Sequence, residues 1–112
     1  MIPNNFITSA NELPGYRIVR NVGIVRGIVV RSRSIVGTIG AGLQSLFGGN
    51  ITLWTELCEQ TRREAFELMA QHARDAGGNA VVGMRYDTTE IAQAVAEVLA
   101  YGTAVVVEAN RT

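Results

Sequence analysis

The stretch AGGNAVVGMRYDTTE, residues 76–90, contains the change from helix to strand on which the fold depends. Gly77–Gly78 ends the charged segment before it, because glycine readily adopts the left-handed backbone that closes a helix. The next residues, AVV at 80–82, are small or β-branched and indicate a strand. The stretch therefore predicts a helix followed by a sheet strand. Its charged residues, candidates for ligand binding at the strand end, are Arg85, Asp87 and Glu90.

Two helices are predicted before the glycine pair. Residues 51–76 carry apolar side chains every three or four positions, which is the spacing of one helical face. The predicted buried stripe consists of Trp54, Cys58, Thr61, Ala65, Leu68, Met69, His72 and Ala76. Residues 34–47, SIVGTIGAGLQSLF, show a glycine-rich helical pattern that suits close packing against another element.

The remaining segments predict strands. Along residues 16–31, apolar and polar side chains alternate as in a strand, and Gly23 and Gly27 within this segment suggest bulges or a bend. Residues 95–108 are apolar at both odd and even positions, as expected of a central strand covered on both faces. With a short strand at 2–8 and another at 79–87, the order is ββααββ. We therefore expect a single domain, 1–112, of the α+β class: two layers, with a largely antiparallel sheet and one long helix.

The charges are balanced overall but unevenly distributed. Residues 1–50 hold five arginines and one acidic residue, whereas residues 51–112 hold five arginines and nine acidic residues. The five arginines of residues 1–50 could form a basic face. They occupy both odd and even positions of the predicted strand, however, and therefore do not share one face, which disfavours a nucleic-acid partner. We favour the alternative, in which the oppositely charged halves meet between subunits.

The cysteine content and the N-terminus indicate the compartment. A chain with a single cysteine, Cys58, cannot form an intramolecular disulfide, and this suits a reducing cytosol. The N-terminal residues do not resemble a signal peptide, and no apolar run reaches the roughly 20 residues of a spanning helix. We therefore expect a cytoplasmic protein without a membrane partner.

Soft metals prefer thiolate and imidazole ligands, and this chain has one of each. Cys58 and His72 are separated by about 21 Å along the predicted helix, because each residue rises about 1.5 Å. They could ligate an ion only when symmetry-related copies meet around an oligomer axis. A hard cation could instead use Asp87 and Glu90, with Glu108 or a second subunit adding oxygens. A divalent metal ion is thus the one cofactor to consider.

Other motifs are weak. GTIGAG at 37–42 lacks the Lys-Ser/Thr ending of a phosphate-binding loop and the spacing of a dinucleotide fingerprint. The lone histidine has no predicted nucleophile beside it, so no catalytic residue is assigned. Catalysis remains an alternative only if two subunits assemble a site that one sequence does not show.

The motifs GGNAVVGMRYD and AYGTAVVVE, with PGYRIVRNVGIVRG upstream, closely resemble the YbjQ family of small bacterial proteins. The similarity extends from Ile2 to Glu108. It implies a dodecin-like α+β subunit, a cyclic homo-oligomer (a pentamer), and an uncharacterised function described as "putative heavy-metal-binding".

We therefore expect a homo-oligomeric binding or structural module, with sites for an unidentified small ligand or ion at its subunit interfaces. One alternative is a heavy-metal-binding protein with ligands gathered around the oligomer axis. The other is an interface-assembled enzyme of unknown reaction, which the residues favour less than binding.

Overall fold

The structure is a computed structural model that describes residues 2–32, 51–93 and 95–111. Its elements are a 3-10 turn at Asn4–Phe6, β1 at Tyr16–Ser32, α1 at Ile51–Asp75, β2 at Ala80–Ala92 and β3 at Val95–Ala109. The long helix was predicted to within one residue at its C-terminal end. The helix predicted over 34–47 lies outside the described residues.

Among the described residues, the sheet has three strands in the order β1-β3-β2, and both pairings are antiparallel. The predicted α+β class with an antiparallel sheet and one long helix is confirmed, and β3 is central as its apolar character indicated. The second strand runs to Ala92, beyond the predicted end at Asp87. It continues because its last residues pair with the start of β3, from Ala92 opposite Val95 to Asp87 opposite Leu99.

The two glycines of β1 have different roles. The register between β1 and β3 shifts between Asn21 and Gly23, and Gly23 has a φ of 131° that favours glycine. The predicted bulge is therefore present at Gly23. Gly27, in contrast, pairs regularly with Ala100 and faces α1 at very short range. Gly27 allows close helix packing rather than a bulge.

The helix packs on the sheet through small side chains and one methionine. Ala65, Met69 and Ala73 are fully buried and follow one another at steps of four residues. The predicted stripe was partly wrong, because Cys58, His72 and Ala76 are exposed. The alanines let the helix approach β1 closely, so its buried line is rotated towards Met69 and Ala73.

The N-terminal segment does not form the predicted strand at 2–8. Pro3 precedes the 3-10 turn, and Ile7 makes only an isolated parallel bridge with Val81. Prolines and asparagines favour turns, which explains the difference. Backbone hydrogen bonds nevertheless join this segment to β2, from Thr8 N to Val81 O (2.9 Å) and from Gly83 N to Ala10 O (2.8 Å). The segment thus covers the first half of the outer edge of β2.

Within the described ranges, no helix combines the length and apolar character needed to cross a membrane.

Candidate functional site

The three charged residues predicted as a site lie on the second half of β2 but not on one face. Arg85 is opposite Tyr101 and Asp87 is opposite Leu99, so these two side chains share a face of the sheet. Glu90 is opposite Ala96 and has the other parity. The structure therefore places Arg85 and Asp87 together and separates Glu90 from them.

Arg85 and Asp87 each have a local hydrogen-bond partner. The Arg85 guanidinium donates to the carbonyl oxygen of Ser9 and to that of Met84, both at 2.8 Å. The Asp87 carboxylate accepts from the backbone N–H of Thr88 at 2.9 Å. Arg85 thus helps to hold the N-terminal segment against β2, while the rest of the Asp87 carboxylate faces solvent.

The two soft-metal candidates are both exposed on α1. Cys58 is a free, exposed thiol. His72 has its Nδ1 atom 2.6 Å from the carbonyl oxygen of Arg26, so this ring nitrogen donates and the bond links α1 to β1. Across the part of the chain that the structure describes, no three His, Cys, Asp or Glu side chains are grouped as a metal site would require. One subunit's described residues therefore do not assemble the predicted metal centre.

One face of the sheet, opposite α1, carries an apolar area that the described residues leave uncovered, and we call it the open sheet face. Strand alternation places Ile24, Ile28 and Val30 of β1 on this face beside Leu99 and Tyr101 of β3. Their exposed fractions are 81% for Ile24, 44% for Ile28 and 49% for Val30. Large contiguous apolar areas of this kind mark interaction surfaces.

Charged residues cross or border the open sheet face in rows. Arg26 of β1 and Arg85 of β2 both pair with Tyr101 of the central strand, one on each side. The three residues form a row across the sheet with an arginine at each end, which we call the basic row. The next rows along the strands contain Asp87 and then Glu97. The face therefore has an apolar centre with basic and acidic rows side by side.

A groove separates α1 from the second half of β2 on the other side of the sheet. It has a volume of 310 Å³ and is lined by Glu59, Arg62, Arg63, Phe66 and Tyr86. The Arg62 guanidinium carbon lies 5.5 Å from the centroid of the Tyr86 ring, within cation–π range. Burial raises the pKa of the Tyr86 phenol above its ordinary value, while the Arg62 charge opposes this rise and the Glu59 charge adds to it.

The sequence did not reveal this groove. Its helix residues are spaced at i, i+3, i+4 and i+7, a spacing that is visible in the sequence but mixes charged and aromatic types. The missing information was that Tyr86, which is 20 positions after Phe66 and on a strand, lies beside that stripe.

In the residues that the structure describes, the fold and these surfaces define a small α+β domain in which α1 packs on a three-stranded antiparallel sheet. A family model, YbjQ, with the description "putative heavy-metal-binding", matches residues 5–108. The chain belongs to this family.

Curated relatives agree with this assignment, and one solved structure has a similar fold. A UPF0145 protein of Solibacter usitatus is 69% identical over 105 residues, which are 94% of this chain and 94% of the relative. A UPF0145 protein of Burkholderia thailandensis is 65% identical over 94% of this chain and 95% of its own. A Pediococcus pentosaceus protein of unknown function, from the DUF74 family, superposes with a TM-score of 0.58 at 19% identity, covering 92% of this chain and 97% of its own. That last similarity concerns the fold alone.

Proposed function

We propose that this chain is the subunit of a cytoplasmic homo-oligomer that acts as a binding module, with ligand or ion sites at its subunit interfaces. Five is the subunit number that the similarity to the YbjQ family implies. The observation that carries the proposal is the open sheet face, whose Ile24 side chain is 81% exposed.

A second copy of the chain suits this face energetically. Burying a large aliphatic side chain contributes about 1.5–3 kcal/mol, and Ile24, Ile28 and Val30 each retain much of their surface for such burial. A neighbouring copy can also place acidic residues against the basic row of Arg26 and Arg85. The chain has no net charge, so the association meets no overall repulsion.

Two of the three predicted ligand residues border the same face. Arg85 and Asp87 lie on β2 at its margin, and from Asp87 onwards the outer edge of β2 has no backbone partner among the described residues. An adjoining subunit would therefore approach these two side chains. Together they offer a guanidinium and a carboxylate, which suits a small zwitterion or an ion completed by the neighbouring subunit.

Light scattering and sedimentation at micromolar concentration test the assembly. We expect a stable oligomer that Ile28→Glu dissociates. Val19→Glu is the matched control, since Val19 lies on the same strand with 45% exposure against 44% for Ile28 but outside the open sheet face. A wild-type monomer would overturn the proposal. If the wild type is a monomer and Ile28→Glu greatly lowers its free energy of unfolding, another part of the same chain covers the face, which also contradicts the proposal.

Metal binding around the oligomer axis is a second candidate, supported by the family description and by the exposed thiol of Cys58. Titration of the oligomer with zinc, copper and nickel ions by calorimetry tests it, with Cys58→Ser, His72→Ala and Asp87→Asn as variants. Loss of binding in Cys58→Ser or His72→Ala would support soft-metal ligation. Binding that changes only in Asp87→Asn would place the ion at the border of the open sheet face.

A further inference from the structure

The groove between α1 and β2 is built from residues of one chain. Glu59, Arg62, Arg63 and Phe66 lie on one side of α1, because their spacing of three and four residues returns to the same helical face. Tyr86 forms the opposite wall from β2. The groove lies on the helix side of the sheet, away from the open sheet face. It therefore does not depend on the proposed subunit contact.

The two arginines of the groove have unused hydrogen-bonding capacity. In the described part of the chain, the arginines with ion-pair partners are Arg17, Arg31 and Arg74. Arg62 and Arg63 form no such pair there, although Glu59 lies one turn earlier on the same stripe. Arg62 instead lies over the Tyr86 ring. Two planar donor groups thus lie beside an aromatic ring on each wall of the groove, Phe66 on α1 and Tyr86 on β2.

The dimensions and charges of the groove restrict the ligand. Its 310 Å³ is near the lower end of small-molecule sites, which holds one ring with its substituents but not a nucleotide. A carboxylate is the anion that a guanidinium binds through two parallel hydrogen bonds. Phe66 and Tyr86 offer faces and edges to an aromatic ring. Glu59 repels a second negative charge and accepts a hydrogen bond from a donor on the ligand.

We propose that this groove binds a small aromatic monocarboxylate that carries a hydrogen-bond donor at the far end of its ring. Arg63, with Arg62, holds the carboxylate, Phe66 and Tyr86 contact the ring, and Glu59 accepts from the donor. This site is separate from the interface sites of the proposed function, so either can fail without the other.

Titration of the full chain with 4-hydroxybenzoate, followed by amide NMR shifts and calorimetry, tests the proposal. We expect shifts concentrated in residues 59–66 and 85–88, with saturation in the millimolar range or below. Arg63→Gln should weaken binding about tenfold or more, because a charged hydrogen-bonding partner is lost. Arg74→Gln, an exposed arginine further along the same helix, is the matched control and should bind as the wild type does.

Two further comparisons separate the parts of the site. Tyr86→Phe keeps the ring and should bind within about threefold of the wild type, whereas Tyr86→Ala should lose about tenfold. Benzamidine, a cation of similar shape, should not bind. The Ile28→Glu variant should bind 4-hydroxybenzoate as the wild type does, which distinguishes this site from the subunit interface.

Four results would overturn the proposal. Inorganic phosphate binding as tightly as 4-hydroxybenzoate would show a simple basic patch. Shifts outside the groove, or binding unchanged in Arg63→Gln, would place the ligand elsewhere. An absence of shifts in the wild-type spectrum at millimolar 4-hydroxybenzoate would exclude this ligand class, and it does not rely on any variant that fails to fold.

Discussion

Gly27 of β1 lies against the backbone of α1 at Ala65. A Cβ atom on Gly27 would be 2.1 Å from the Ala65 carbonyl oxygen and 2.6 Å from the Met69 amide nitrogen. Both neighbours are backbone atoms of a long helix, so neither can move aside without shifting α1 as a whole. This contact fixes the distance between the helix layer and the sheet.

Gly27→Ala should therefore destabilise the fold by about 3 kcal/mol or more, measured by urea unfolding. Gly83→Ala is the matched control. Gly83 has a φ of 63°, and its nearest atom to an added Cβ is 4.0 Å away. The Gly83→Ala variant should lose only about 1–2 kcal/mol of stability, which is the cost of an alanine in left-handed backbone. Equal losses in the two variants would mean that the helix does not lie as close to β1 as the structure has it.

Asn79 substitutes for a backbone partner of β3. Its side chain accepts from the Val107 N–H at 2.8 Å and donates to the Val107 carbonyl at 3.0 Å. Asn79→Ala leaves both groups of Val107 without these bonds, so we expect a loss of about 2 kcal/mol and faster hydrogen exchange at the Val107 amide. Asn110→Ala, an exposed asparagine near the C-terminus, should change neither. Unchanged protection of Val107 in Asn79→Ala would contradict this role.

Arg31 and Glu64 form an ion pair within the chain, between β1 and α1. The sequence suggested that basic residues of the first half meet the acidic helix between subunits, whereas this pair forms inside one subunit. A double-mutant cycle with Arg31→Gln and Glu64→Gln should give a coupling free energy of about 0.5–1 kcal/mol that decreases in high salt.

The more exposed pair of Arg17 and Glu108 provides the comparison. Its side chains are 54% and 58% exposed, against 35% and 38% for Arg31 and Glu64. Solvent screens it more strongly, so its coupling should be only a few tenths of a kcal/mol. A larger coupling for Arg17 and Glu108 than for Arg31 and Glu64 would be inconsistent with the burial of the two pairs.

Local patterns in the sequence were enough to predict most of the fold. The helix was predicted from apolar residues at every third or fourth position of 51–76. The central strand was predicted from apolar residues at both odd and even positions of 95–108. These patterns could not show which side of α1 is buried, because that depends on how closely Gly27 lets the helix approach. Nor could they show that residues 2–8 form a turn and an isolated bridge at Ile7 instead of a strand, since a short apolar run does not reveal its partner.

The candidate sites were harder to predict for the same reason. Arg85, Asp87 and Glu90 are close in sequence, but strand alternation places Glu90 on the opposite face from the other two. Conversely, Arg62 and Tyr86 are distant in sequence and meet only because the fold places α1 beside β2. Contacts between elements therefore decide both surfaces, and a single sequence does not state them.

Tyr86 makes the stability of the fold depend on pH in the alkaline range. Burial raises the pKa of its phenol above 10.0, the value expected in the unfolded chain, and the nearby Arg62 charge partly opposes the rise. The folded state therefore retains the proton longer than the unfolded state, and stability falls as pH rises from about 10 towards the folded pKa. Below about pH 9 the phenol is neutral in both states and has no such effect.

Urea unfolding of the wild type and Tyr86→Phe between about pH 9 and about pH 11 measures this effect. The wild type should lose more stability over that interval than Tyr86→Phe, which retains every other titrating group. Arg62→Gln should raise the pKa of Tyr86 further, as followed by tyrosine absorbance with Tyr86→Phe as the reference, because it removes the charge that favours the phenolate. Arg74→Gln should leave that pKa unchanged. A fall in the pKa of Tyr86 on removing Arg62 would show that the guanidinium does not lie over the ring.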